Sequence, residues 1–195
     1  MSANAWTVVK VGGSLYDLPD LRERLRSFLA TVAGKILLVP GGGATADAIR
    51  AFDRAHHLGE GASHWLAIRA LSLNARFLAT LLPDTHILAN TLADTSGSGV
   101  FVVDAFAFFE ADERRPGHLP HLWKVTSDSL AVRAATVLGA RELILLKSID
   151  WPGDNWQDAA HQGIVDGYFT EALKQAPGAL NVRVVNLRQA SRATR

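Results

Sequence analysis

Apolar and polar positions change their spacing several times along the chain, and each change marks an element. Trp6-Thr7-Val8-Val9-Lys10-Val11 is a short β-branched run that ends at Gly12-Gly13. It reads as a buried strand over 6–11 opening into a tight turn. Leu21, Leu25, Phe28, Leu29 and Val32 recur at helical spacing and predict a helix over 20–33. A second strand over 35–39 runs through Pro40 into Gly41-Gly42-Gly43, and a helix over 44–56 starts straight after these glycines. A long helix is predicted over 62–82, with Trp65, Ile68, Leu71, Leu73 and Leu78 toward the core, and Pro83 stops it.

The second half continues the alternation. Short strands are predicted at 85–89 and 100–103, with Thr95-Ser96-Gly97-Ser98-Gly99 as the loop between them and a short helix over 104–111. Arg114 to Pro120 is a Pro/Gly break. Thr126-Ser127-Asp128 caps a helix that runs to about Leu138, and Gly139 suits its C-terminal end. Glu142 to Leu146 is a buried strand, 151–163 is polar and irregular, 166–175 is helical, and Asn181 to Val185 is a last strand. Strands separated by helices imply an α/β fold, a three-layer αβα sandwich around a mainly parallel central sheet. No repeat or linker divides the chain, so 1–195 reads as a single domain. In such sheets ligands bind beyond the carboxyl ends of the strands. Lys10, Gly41, Asn90 and Lys147 all fall at or near that edge.

Composition narrows the function classes. Of 195 residues 48% are hydrophobic, which suits a folded domain with a real core. Twenty basic against 19 acidic residues leave a net charge of +1, which argues against a nucleic-acid binder with a broad basic face. The absence of cysteine excludes disulfides and thiolate metal sites. No apolar stretch approaches the roughly 20 residues needed to span a bilayer, and Met1 to Ala5 is too short and polar for a signal peptide. A soluble, cytoplasmic protein without a membrane partner is the expectation.

The two glycine corners carry the first chemical signal. Adjacent glycines let backbone N–H groups approach a ligand, and Lys10 adds a positive charge to the same space. One such corner is explained by a tight turn alone; two corners with a lysine point to phosphate binding. Neither a Gly-x4-Gly-Lys-Ser/Thr loop nor a Gly-x-Gly-x-x-Gly fingerprint is present. Asp128 has two readings, a helix cap or an inward carboxylate that keeps nearby lysines protonated and aimed. Lys147, ending the strand Leu143–Leu146, either snorkels to solvent or is a second phosphate-binding lysine. His56, His57 and His161 lack zinc spacing and read as surface residues. Trp151-Pro152-Gly153-Asp154-Asn155-Trp156 reads as a loop tied down by two aromatics or as an adenine cover. Asp94 and Thr95 begin either a plain surface loop or a mobile element.

Lys10-Val-Gly-Gly-Ser14, Gly41-Gly-Gly43, Thr126-Ser-Asp-Ser-Leu-Ala131 and the strand ending in Lys147, in this order, resemble the amino acid kinase superfamily. Gly41 to Arg50, His64-Trp-Leu-Ala-Ile68 and Gly163-Ile-Val-Asp-Gly-Tyr-Phe169 resemble a short branch of it, which includes aminomethylfuran phosphate kinases of methanofuran biosynthesis and bacterial relatives in C1 metabolism. The resemblance implies the amino acid kinase fold, ATP with Mg2+ carried by the nucleotide, and an anionic small-molecule acceptor. It implies that Lys10 stabilises the transferring phosphoryl group and that Asp128 organises Lys10 and Lys147. Gly12, Gly13, Ser14, Gly41, Gly42 and Gly43 then bind phosphate, the backbone N–H groups of Gly12, Gly13, Gly42 and Gly43 holding its oxygens. Asp47, Arg50, His64 and Asn90 flank the acceptor; Asp47 either recognises an acceptor amine or forms an ordinary surface pair with Arg50. The acceptor is a phosphate monoester, or alternatively a carboxylate; a nucleotide-binding or oxyanion-storing protein without turnover is the rival from another class. Gly163 to Tyr168 lacks the lysine that many relatives carry in a Gly-Gly-Met-x-x-Lys segment. Family resemblance also implies a homo-oligomer, with the 62–82 helix as a candidate interface.

Overall fold

The computed structural model describes residues 5–89, 99–176, 178 and 180–189. Strand β1 (Trp6–Val11) leads through a 3-10 turn (Gly13–Leu15) to α1 (Leu21–Leu29) and β2 (Lys35–Pro40). Helices α2 (Gly43–His56) and α3 (Glu60–Leu81) follow, then β3 (His86–Leu88), β4 (Val100–Val103) and α4 (Ala105–Asp112). The chain ends with α5 (Ser127–Leu138), β5 (Glu142–Lys147), α6 (Trp156–His161), α7 (Phe169–Gln175) and β6 (Asn181–Asn186). The six strands form one sheet in the order β3-β4-β2-β1-β5-β6, with every pair parallel.

Alternation along the strands builds two cores. Val8, Leu37, Val39, Leu143 and Leu145 face one side, where they pack with Leu130 and Ala134 of α5, Ile68 and Leu71 of α3, and Phe169 of α7. Val9, Val11, Leu38, Ile144 and Leu146 face the other, against Leu21 and Leu25 of α1 and Ala75 and Leu78 of α3. Neighbours in a strand point to opposite faces, so Lys10 shares the α5 side with Val8, and Lys147 shares it with Leu145. Lys10 pairs with Leu145, so Lys147 stands one strand over and two residues further along, and the two backbones lie about 8 Å apart under the start of α5.

Several sequence expectations shift. Helix α1 stops at Leu29, and Phe28 and Val32 only flank the core. Leu73 is 59% exposed: it points away from the stripe formed by Ile68, Leu71, Ala75 and Leu78. The 151–163 stretch contains α6, started by Asn155, whose side chain accepts from the backbone N–H groups of Gln157 and Asp158. Among the described residues no helix is long and apolar enough to cross a membrane.

Candidate active site

At the carboxyl edge of the central strands, Asp128 draws two lysines together. Its Oδ1 lies 2.9 Å from Lys10 Nζ and 2.8 Å from Lys147 Nζ, and Lys147 also reaches Oδ2 at 2.9 Å. Lys10 and Asp128 are each 5% exposed. Burial alone would raise the Asp128 pKa, but the two ammonium groups outweigh it and hold the carboxyl below its usual value. Burial, then the charge of Lys10, pushes Lys147 down to about 8 against the pull of Asp128. The trio therefore carries two cations on one carboxylate, a net positive charge with little water around it.

Asp128 is held in place by a partner far along the chain. It sits in the first turn of α5, where a carboxylate also faces the positive helix end. Thr126 occupies the cap position, but its side chain makes no capping bond. Asp166 does that work instead. Its Oδ2 accepts from Thr126 N (3.0 Å), Thr126 Oγ1 (2.9 Å) and Ser129 N (2.9 Å), while Oδ1 accepts from Tyr168 N (3.1 Å) and Ser129 Oγ. Burial and the nearby charge of Asp128 raise its pKa. The stretch that lacks the family lysine thus supplies the cap of the helix that aims the other lysines.

The two glycine corners pack backbone against backbone. A Cβ on Gly13 would lie 2.1 Å from Gly43 N, and one on Gly41 would lie 2.4 Å from Gly13 N. Glycine is required there by close approach, whatever ligand binds. Asn74, buried in α3, donates to Gly41 O (2.7 Å) and Gly42 O (2.8 Å), and Tyr16 donates to Gly41 O (3.1 Å). The Gly12 N–H is committed to Leu146 O at 2.9 Å, so it is not the phosphate donor expected from the sequence. The N–H groups of Gly13, Gly42 and Gly43 have no acceptor among the described residues, and the latter two open α2, a favourable anion site. Ser14 Oγ lies 3.0 Å from Ser148 Oγ, and Arg188, itself held through its carbonyl by Arg24, donates to Ser14 O at 2.7 Å.

A cavity of about 190 Å3 opens over these groups. Lys10, Gly13, Ser14, Gly42 and Gly43 form its charged and polar end, and Arg50, His64 and Trp123 line it with Ile68, Leu71 and Leu130. Asp128 and Lys147 lie outside the lining, Asp128 in contact with Lys10 and Lys147 with Asp128. Asp47 does not line it: it is exposed and pairs with Arg50 at 2.7 Å. Burial, then the neighbouring His121, depresses His64 to about 4, so its ring is neutral near pH 7; the two imidazoles stack at 5.2 Å. Asn90, Asp94 and Thr95 lie outside the described residues. His56, His57 and His161 are exposed. Trp151 and Trp156 pack against the core, Trp156 with its ring 5.2 Å from Phe169.

Sequence reasoning missed Asp166, Asn74, Tyr16 and Trp123. Asn74 had a signal: it stands three residues after Leu71 and four before Leu78, on the apolar stripe of a helix. Nothing local marked Asp166 as a helix cap, since the helix start that it caps lies 37 to 40 positions earlier.

Known proteins resemble both the sequence and the fold. Residues 5–151 match the model of the amino acid kinase family. The chain is 31% identical over 198 residues to the [5-(aminomethyl)furan-3-yl]methyl phosphate kinase of Methanocaldococcus jannaschii, across 95% of this chain and 89% of that protein. In fold it is similar to the uridylate kinase of Archaeoglobus fulgidus, with a TM-score of 0.62, 16% identity, and coverage of 94% of this chain and 93% of that one. The UMP kinase of Ureaplasma parvum gives a TM-score of 0.62 at 14% identity, over 94% and 87% of the two chains.

Proposed function

The chain belongs to the amino acid kinase family and is a phosphotransferase, and from that premise we propose that it transfers the γ-phosphoryl group of ATP to a small phosphate monoester, giving a diphosphate. The observation that carries this reading is the buried Lys10–Asp128–Lys147 trio, whose Lys10 enters a cavity lined by no carboxylate among the described residues. An acceptor phosphate is already ionised, so no protein base is needed. Catalysis then rests on placing donor and acceptor in line and on neutralising the charge that spreads over the transferring group.

Lys10, which lines the cavity, meets that charge directly. The N–H groups of Gly42 and Gly43, at the start of α2, hold acceptor or donor oxygens together with that of Gly13. Asp128 fixes the Lys10 ammonium, and Lys147 supplies the positive charge that relatives draw from the segment around Gly163–Tyr168. Mg2+, where it takes part, would be carried by the triphosphate and would partly neutralise its charge. The leading acceptor is the aminomethylfuran phosphate named for the Methanocaldococcus jannaschii relative, which would place the chain in methanofuran-type cofactor synthesis. We also propose a homo-oligomer, supported by exposed Leu66, Leu73 and Phe77 along α3; sedimentation of the wild type against Leu73→Asp tests it.

The test is ADP release with Mg-ATP against aminomethylfuran phosphate, isopentenyl phosphate, UMP, acetylglutamate and aspartate. Turnover with one phosphate ester that Lys10→Ala abolishes supports the proposal. Turnover with a carboxylate alone, trapped by hydroxylamine as an acyl phosphate, refutes it.

A further inference from the structure

Trp123 stands in a stretch between α4 and α5 that has no helix or strand of its own. Its ring is fixed by side chains. The indole N–H donates to Asp53 Oδ2 at 2.6 Å, and the Arg50 guanidinium lies 5.5 Å from the ring centroid. Asp53 also accepts from Gly59 N at 3.1 Å through its other oxygen. One carboxylate on α2 thereby ties together the start of α3 and the indole.

Two spaces border the Trp123 side chain. It lines the cavity that holds Lys10 and the glycine corners, and it lines a separate groove of about 240 Å3 shared with Arg50, Asp53 and Arg54. Trp123 and Arg50 are the residues common to both, so the indole and the guanidinium beside it form a partition. The inner cavity measures about 190 Å3. A cavity of roughly 150 Å3 accommodates benzene, so the inner space suits one ring with a short substituent. A nucleoside, with a base beside its sugar, needs the groove behind the indole as well.

We infer that Trp123, latched by Asp53, sets the size of the acceptor and restricts it to single-ring phosphate esters. The inference rests on the phosphate-monoester reading above and adds to it the residue that selects among such esters. Arg50, which lines both spaces beside the indole, adds charge and bulk to the same partition. The Asp53 bond matters because an indole free to rotate would open the groove without any change in sequence at position 123.

The experiment measures binding, so that it does not depend on turnover. Dissociation constants for furan-3-ylmethyl phosphate and for UMP are determined by calorimetry on the wild type, Trp123→Ala and Asp53→Asn. The wild type should favour the furan ester by about tenfold or more, and Trp123→Ala should reduce that ratio by about tenfold. Asp53→Asn, which keeps the ring but weakens its latch, should move the ratio the same way by about threefold. Thermal unfolding and ATP binding verify that each variant is folded; if Trp123→Ala is not, Trp123→Phe, which keeps a ring and deletes the N–H, replaces it and should behave as Asp53→Asn does. An unchanged ratio in folded variants overturns the inference, as does a wild type with no preference. ADP release is followed in parallel. A wild type that prefers the furan ester yet phosphorylates neither refutes the phosphate-kinase reading, while the binding ratios still decide the role of Trp123.

Discussion

Replacing Asp128 by Asn isolates the electrostatic core of the site with almost no change in shape. The wild-type carboxylate contacts two ammonium groups at 2.8–2.9 Å. Unit charges about 4 Å apart interact by about 4 kcal/mol at an effective dielectric of roughly 20. If the amide oxygen and incoming water recover half of that, about 2 kcal/mol remains, which lowers a lysine pKa by about 1.5. Lys147 starts at about 8, so the variant should lose its proton near pH 6.5. Two effects follow in a steady-state assay. The wild-type rate should fall as pH rises through about 8, and in Asp128→Asn this alkaline limb should move down by about 1.5 pH units. At pH 7 the variant kcat should fall by about 10²–10³, the usual loss when one preorganised electrostatic group is removed. A variant within about threefold of wild-type kcat, with its alkaline limb unmoved, would refute the reasoning.

Three further outcomes are expected. Gly13→Ala cannot keep both corners, because its Cβ would sit 2.1 Å from Gly43 N; a loss of about 3 kcal/mol or more should appear in urea unfolding. Asp166→Ala leaves the start of α5 uncapped and several partly buried donors unpaired, so it should cost about 2–3 kcal/mol of stability and lower kcat through misplaced Asp128, with little effect on ATP affinity. His64 titrates at about 4 when folded against 6.5 when free. The unfolded chain takes up the proton that the folded ring refuses, so this contribution is complete above pH 6.5 and is lost as pH falls toward 4. His64→Gln should flatten the acid arm of a stability–pH curve by up to about 3 kcal/mol.

The parts of the site that were legible in the sequence are those set by short-range pattern. Lys10 and Lys147 end apolar runs, so their strands and their place at the carboxyl edge could be read directly. The glycine corners were equally visible, but their reason was not. Gly13 is constrained by Gly43 rather than by its own turn, and no local pattern reports that two loops touch. Gly12 illustrates the same limit: its N–H is taken by Leu146 O across the sheet. Leu73 was misjudged because α3 serves both cores, turning Ile68 and Leu71 to one and Ala75 and Leu78 to the other. A single stripe drawn through its apolar residues averages two directions. Capping by Asp166 was hidden because it is a tertiary contact that stands where Thr126 normally acts alone.

The strand order has a consequence for how the protein is made. β1 lies between β2 and β5, yet β5 is synthesised long after both. While a nascent chain ends short of Glu142, one side of β1 has no neighbour, and Val8, Val9 and Val11, all fully buried in the finished fold, border an open edge. Unpaired apolar edges of this kind recruit strands from other molecules. Nascent chains that stop before residue 142 therefore leave β1 as an unpaired edge, and the arrival of β5 both closes that edge and delivers Lys147 to Asp128.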